Sequence, residues 1–132
     1  MLPAEQRLRK NEDFRTIYKR GRSHVGDLAV LYVLRRVDHE SGPSGRRIGF
    51  VVSKKQGDAV VRNRVKRRLR EAVRLALPTL HEGPYDMIFV GRSGLKDASW
   101  PAVQAAVADL LRRARLLNTA ASEAQHDAQN GS

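Results

Sequence analysis

The apolar and polar positions divide the chain into six segments of helical or strand character. Glu12 to Lys19 reads as a short helix. Phe14, Ile17 and Tyr18 share one side, Asn11 is placed to cap it, and Glu12 and Asp13 suit the positive end of its dipole. Gly21, between Arg20 and Arg22, is the expected left-handed cap. Leu28 to Leu34, LAVLYVL, is rich in β-favouring residues and too short for a buried helix, which predicts a strand. Along it Val30 and Tyr32 point one way, and Ala29, Leu31 and Val33 the other. Asp38 to Gly45 has turn chemistry and no core content. Arg47 to Ser53, RIGFVVS, is a second strand, with Leu28 to Leu34 as its expected antiparallel neighbour.

Beyond Gly57 the period changes to helical: Val61, Val65, Leu69 and then Ala72 or Val73 recur three and four residues apart. Asp58 is the expected cap, and the helix is expected to reach about Leu77 and stop near Pro78. A turn at Gly83-Pro84 leads into a third strand, Tyr85 to Gly91, and Arg92 to Ala98 reads as a loop or short turn. Trp100 to Leu117 is a last helix, opened by Pro101 and striped by Val103, Val107, Leu110, Leu111, Ala114 and Leu117. Residues 118–132 are small and polar, which predicts a disordered tail. The order is α-β-β-α-β-α, an α/β sandwich with helices on a small sheet, in a single domain over residues 1–117.

A chain of 132 residues supports one modest core. Its formal charge is +11, and the tail contributes Glu123 and Asp127 with no Lys or Arg. The part expected to fold therefore carries 25 basic against 12 acidic residues, a charge of +13. That excess favours a nucleic-acid partner. An anionic membrane is the competing polyanion, disfavoured because the basic residues are spread over several elements. The absence of cysteine excludes disulfides, thiolate metal sites and cysteine nucleophiles. No apolar run approaches the ~18 residues of a membrane span, and the N-terminus lacks a signal-peptide core. A cytoplasmic location is the resulting expectation.

The charge is densest from Lys54 to Arg70, where seventeen positions hold eight basic residues and one acid, Asp58. Arg62, Asn63, Arg64, Lys66, Arg67 and Arg70 lie off the apolar stripe of the predicted helix. Like charges at these spacings repel. The guanidinium fork matches phosphate oxygens, and Asn63 can bond to a base edge or backbone oxygen. A merely solvated helix face is the plainer alternative. Phe14 and Tyr18 stack on one helical side, and with Tyr32 they could line a groove for unpaired bases; a core role for each ring is the alternative. Arg7, Arg9, Lys10, Arg46 and Lys54 would supply charge to that groove. His24, His39, His81 and His126 lie in unrelated segments, Asp13, Asp27, Asp58 and Asp86 form no clear dyad, and the glycines match no phosphate loop. No catalytic residue is assigned, and metal ligands stay open.

Three stretches carry a family resemblance: RLRKNEDF (Arg7 to Phe14), FVVSKKQGDAVVRNRVKRRLRE (Phe50 to Glu71) and YDMIFVGR (Tyr85 to Arg92). The chain resembles the protein component of bacterial ribonuclease P from about Arg7 to Leu117. The resemblance implies a subunit of the endonuclease that removes the 5′ leader from precursor tRNA. The catalytic centre and most of the Mg2+ would belong to the large RNA subunit. Arg62, Asn63, Arg64, Lys66, Arg67 and Arg70 would face the catalytic RNA; Phe14, Tyr18, Tyr32, Lys54 and Arg9 would bind the leader. The partners implied are the catalytic RNA and precursor tRNA, with no membrane and no obligate protein partner. The resemblance also implies a mixed central sheet with a left-handed crossover, against the usual right-handed rule. A general RNA-binding or ribosomal-type protein is the alternative reading, and a self-sufficient metal nuclease the third.

Overall fold

The computed structural model describes residues 7–36, 45–81 and 83–117. Helix α1 is Asn11–Arg20, and strands β1, β2 and β3 are Arg22–Val25, Ala29–Arg35 and Arg47–Val51. Helix α2 is Ala59–Ala76, strand β4 is Tyr85–Gly91 and helix α3 is Trp100–Arg113. The strands form one mixed sheet in the order β1-β2-β4-β3, in which only β3 and β4 run parallel. Of the predicted loop Asp38 to Gly45, residues 38–44 lie outside the described residues, as does the tail at 118–132.

The expected pairing of the second strand with Leu28 to Leu34 is not found, because β4 lies between them. The reason is legible in β4 itself. Tyr85, Asp86, Met87, Ile88 and Phe89 are buried in succession, so this strand is covered on both faces and belongs in the centre. The short edge strand β1, RSHV, was not foreseen. It is mostly exposed and polar, and sequence alone reads it as a turn.

Alternation along β2 is as predicted. Ala29, Leu31 and Val33 enter the main core beneath α2 and α3, together with Val65, Leu69, Val73, Val103, Val107, Leu110 and Leu111. On the opposite face Leu8, Ile17 and Ile88 form a small second core, against which Phe14, Tyr32, Leu34, Val51 and Val90 pack.

Hydrogen bonding fixes the handedness of the β3–α2–β4 connection. The Arg92 amide donates to Leu28 O (2.9 Å) and the Arg36 amide to Pro84 O (2.6 Å), so the even-numbered residues of β4 turn their amides toward β2. Ile88 points its side chain toward α1. For L residues this puts β3 to the right of β4 when the sheet is seen from α2 with both strands running upward. The chain therefore passes leftward through α2, a left-handed crossover of the kind that handedness rules disfavour.

Three helix ends differ in detail from expectation. Asp58 does cap α2, accepting from the Val61 amide at 3.0 Å. Asn11 does not cap α1; it is the first helical residue, and Lys10 holds the cap position without a side-chain bond. Gly21 is extended (φ −76°, ψ 168°), not left-handed. Glycine is needed there for space: a Cβ would stand 2.6 Å from Ile17 O and 2.8 Å from Val33 O. Helix α3 stops at Arg113, short of Leu117, because Arg115 turns left-handed (φ 58°). The Arg115 amide then bonds to Arg112 O (3.0 Å) and the Leu116 amide to Leu111 O (3.1 Å). That turn buries Leu116 fully, while Leu117 packs half-buried against the same core. An arginine in this conformation costs about 1–2 kcal/mol relative to the right-handed alternative.

Candidate nucleic-acid interface

Helix α1 crosses its sheet face without covering it. Phe14 rests over β3, where Gly49 makes room: a Cβ there would lie 2.6 Å from Phe14 Cζ. One turn on, Tyr18 meets Tyr32 of β2 edge to face, with centroids 4.9 Å apart and planes at 88°. The structure thus brings the three predicted rings onto one face, with Tyr18 40 % exposed and Phe14 and Tyr32 half-buried. Burial, and then the neighbouring Tyr32, hold the Tyr18 hydroxyl above its usual pKa, so it stays a neutral donor. Beyond the rings, toward the C-terminal ends of β3 and β4, Val51, Val90 and Val30 form a half-buried floor. The result is an open, ring-walled trough.

The basic residues assigned to this trough separate into two groups. Arg9 and Lys10 are exposed just ahead of α1, and Lys54 is exposed beyond the end of β3 where the trough opens. Arg7 pairs by main chain with Ile48 on the outer side of β3 and is half-buried. Arg46 is a correction. It is buried, and its Nη1 lies 3.2 Å from His81 O and 3.4 Å from Leu77 O, at the far end of α2. A guanidinium in the interior is held by carbonyl oxygens, so it is not available to the trough.

The closed end of the same face holds an ion-pair network that sequence reasoning missed. Asp86, 2 % exposed, receives Arg47 Nε at 3.0 Å and Arg36 Nε at 3.1 Å, and Arg47 Nη1 reaches Asp13 at 3.4 Å. Asp13 belongs to α1, Arg36 follows β2, Arg47 opens β3 and Asp86 lies on β4. The network ties the helix to three strands. The signal was a carboxylate inside an otherwise apolar strand, which requires a buried partner.

Helix α2 packs on the other side of the sheet, with Val65, Leu69, Ala72 and Val73 buried. Gly57 (φ 138°) turns the chain from β3 into it, so its first turns stand at the end of the sheet where the trough opens. Asn63, Arg64 and Arg67 are exposed, and Arg62, Lys66 and Arg70 are half-buried. Arg70 lies over the Phe50 ring at 5.9 Å, a cation–π contact that fixes its stem. Arg68, outside the predicted set, donates to Ala98 O at 2.5 Å and braces α2 against the approach to α3. Glu71 is held by Arg74, whose bond lowers the carboxyl pKa. Among the described residues no group of three or more His, Asp or Glu side chains is placed to hold a metal ion. Among them also, no helix is long and apolar enough to cross a membrane.

What this arrangement can do is bind a strand and a phosphate surface around one end of the sheet. The family model described as Ribonuclease P matches residues 2–115. The "Ribonuclease P protein component" of Alkaliphilus oremlandii is 44% identical over 119 residues, covering 90% of this chain and 99% of that protein. The protein of the same description from Clostridium novyi is 42% identical over 117 residues, covering 89% and 100%. Among solved structures, the RNase P protein of Staphylococcus aureus superimposes with a TM-score of 0.72 at 33% identity, covering 86% of this chain and 98% of that one. That of Thermotoga maritima gives 0.69 at 30% identity, covering 81% and 96%.

Proposed function

Because the chain belongs to the ribonuclease P protein family, we propose that it is the protein subunit of the RNA-catalysed endonuclease that removes the 5′ leader from precursor tRNA. The observation that carries the reading is the meeting of an open ring-walled trough with the arginine face of α2 at one end of the sheet. Phe14, Tyr18 and Tyr32 stack unpaired leader bases, each stack contributing about 1–3 kcal/mol. Arg9 and Lys54 neutralise leader phosphates near the mouth. Arg62, Asn63, Arg64, Lys66 and Arg67 face the catalytic RNA, and Arg70 does so from its seat on Phe50. These contacts form one RNA-binding domain within residues 1–117.

The subunit acts by differential binding. It favours the leader-bearing substrate over the leaderless product and offsets repulsion between two polyanions. The hydrolysed phosphodiester leaves a 5′-phosphate on the tRNA and a 3′-hydroxyl on the leader. Magnesium, assigned to the RNA subunit, supplies charge stabilisation there. Among the described residues Asp86 and Asp13 hold arginines, and Asp58 caps α2. The expected setting is the cytoplasm, with catalytic RNA and precursor tRNA as partners and no obligate protein partner.

The test is substrate affinity of the assembled enzyme as the leader is lengthened. With this protein bound, affinity should rise as nucleotides are added through the first several positions. With the catalytic RNA alone it should not. Equal leader dependence with and without protein would remove the trough from substrate recognition.

A further inference from the structure

At the opposite end and edge of the sheet, a second groove of about 600 Å³ gathers five arginines and a histidine. Arg20 closes α1, Arg22 and His24 lie on β1, Arg35 ends β2, and Arg113 and Arg115 end α3. Among the described residues no carboxylate lines it. Arg113 is anchored, with Nη1 2.8 Å from Val25 O and 3.7 Å from Asp109. Among the described residues no ion pair joins Arg20, Arg22, Arg35 or Arg115 to an acid, and all four are exposed. The fold gathers these like charges from four elements that have no electrostatic reason to converge.

Arg115 adds an independent observation. It occupies the left-handed position after α3 where glycine is the low-cost residue. A side chain held there at a conformational cost contributes to the groove a guanidinium that a glycine could not. The electrostatic consequence is visible at His24, whose pKa is lowered by burial and then by Arg113 and Arg22. Guanidinium forks arranged without acids match the paired oxygens of phosphate.

We propose that the groove formed by Arg20, Arg22, Arg35, Arg113 and Arg115 binds consecutive phosphates of an RNA backbone, at a site separate from both the ring trough and α2. The inference rests on the proposed role in an RNA-containing enzyme. The trough opens at the C-terminal ends of β3 and β4, whereas this groove lies at the other end of the sheet, beside the β1 edge. The groove serves a second RNA segment. That segment belongs either to the catalytic RNA or to the tRNA body, and the shared chemistry is the phosphodiester run.

Two variants test it: Arg22→Ala combined with Arg35→Ala, and Arg115→Gly. The second removes charge while relaxing the backbone, so its melting temperature should match or exceed the parent's and loss of fold cannot explain a loss of binding. Affinity of the full-length protein for the catalytic RNA, and of the assembled enzyme for mature tRNA, is measured across a salt series. Each lost phosphate contact should lower the magnitude of the log–log salt slope by about 0.7–0.9. A loss confined to the catalytic RNA places the segment there, and a loss confined to mature tRNA places it in the tRNA body. The His24 ring, followed by NMR, should titrate at higher pH in the RNA-bound protein than in the free protein. Parent-like affinity and slope in both arms for both variants would overturn the proposal. If the unaltered protein failed to promote cleavage, the proposed function would fail instead, leaving these binding arms readable.

Discussion

Replacing Tyr18 with alanine isolates the ring trough from the stability of the domain. Tyr18 is 40 % exposed and outside the buried cluster of Leu8, Ile17 and Ile88, so truncation uncovers the shielded part of one ring without opening a cavity in the core. Its one ring contact is the edge-to-face pair with Tyr32 at 4.9 Å. The ring pair is worth about 0.5–1.5 kcal/mol beyond the area it buries, and each kcal/mol lost lowers the melting temperature of a domain near this size by roughly 4–8 °C. Loss of one base stack costs about 1–3 kcal/mol of binding, or about 5- to 150-fold in affinity. The assay compares the assembled enzyme's affinity for precursor tRNA with its affinity for mature tRNA, parent against variant, with the melting temperature measured in parallel. The expected result is a loss for leader-bearing RNA alone, largely restored in Tyr18→Phe, which keeps the ring. Equal weakening toward both RNAs, or none toward either, would refute the reasoning.

Four further outcomes follow. Gly49→Ala places a methyl against Phe14 and should cost about 1–3 kcal/mol through overpacking or a displaced ring; leader affinity should fall while binding of catalytic RNA holds. Arg62→Ala and Arg64→Ala should leave circular dichroism unchanged, weaken assembly with the catalytic RNA and reduce its salt slope by about 1 each; an unchanged slope would remove them from that contact. Asp86→Ala leaves Arg36 and Arg47 without their buried counter-charge and should destabilise the domain by about 3 kcal/mol in denaturant titration; a loss under ~1 kcal/mol would show the network to be dispensable. His24 sits below its ordinary pKa of 6.5, so its contribution to stability is present above that value and lost as pH falls through the folded-state pKa. The parent's melting temperature should therefore fall more than that of His24→Gln on acidification.

How much of this could be read from residues alone follows from how local each signal is. The apolar stripe of α2, its Asp58 cap and the strand Tyr85–Gly91 depend on neighbours in sequence, and all three are found as predicted. Helical spacing and strand alternation let Tyr18 and Tyr32 share a groove if α1 borders that face of β2, and the 4.9 Å ring contact shows that it does. Features set by distant partners were not legible. Arg46 looks like any surface arginine until the fold brings Leu77 and His81 to it. The pairing of β3 with β4, in place of β2, depends on a left-handed crossover that handedness rules argue against. Gly21 and Gly49 were opaque for a related reason. The β2 carbonyl of Val33 that crowds Gly21 and the α1 ring of Phe14 that crowds Gly49 both come from elements distant in sequence. Arg115 is the inverse case, a left-handed position without the glycine that would have announced it.

The central claim, that this chain is a binding subunit whose chemistry resides in an RNA partner, is tested most directly by a three-arm cleavage assay at low magnesium. Precursor tRNA is incubated with the purified protein alone, with the catalytic RNA alone, and with both. An intact precursor is expected in the first arm, little cleavage in the second, and efficient cleavage at the leader junction in the third. Site-specific cleavage by the nuclease-free protein alone, or no gain over the RNA when the two are combined, would contradict it.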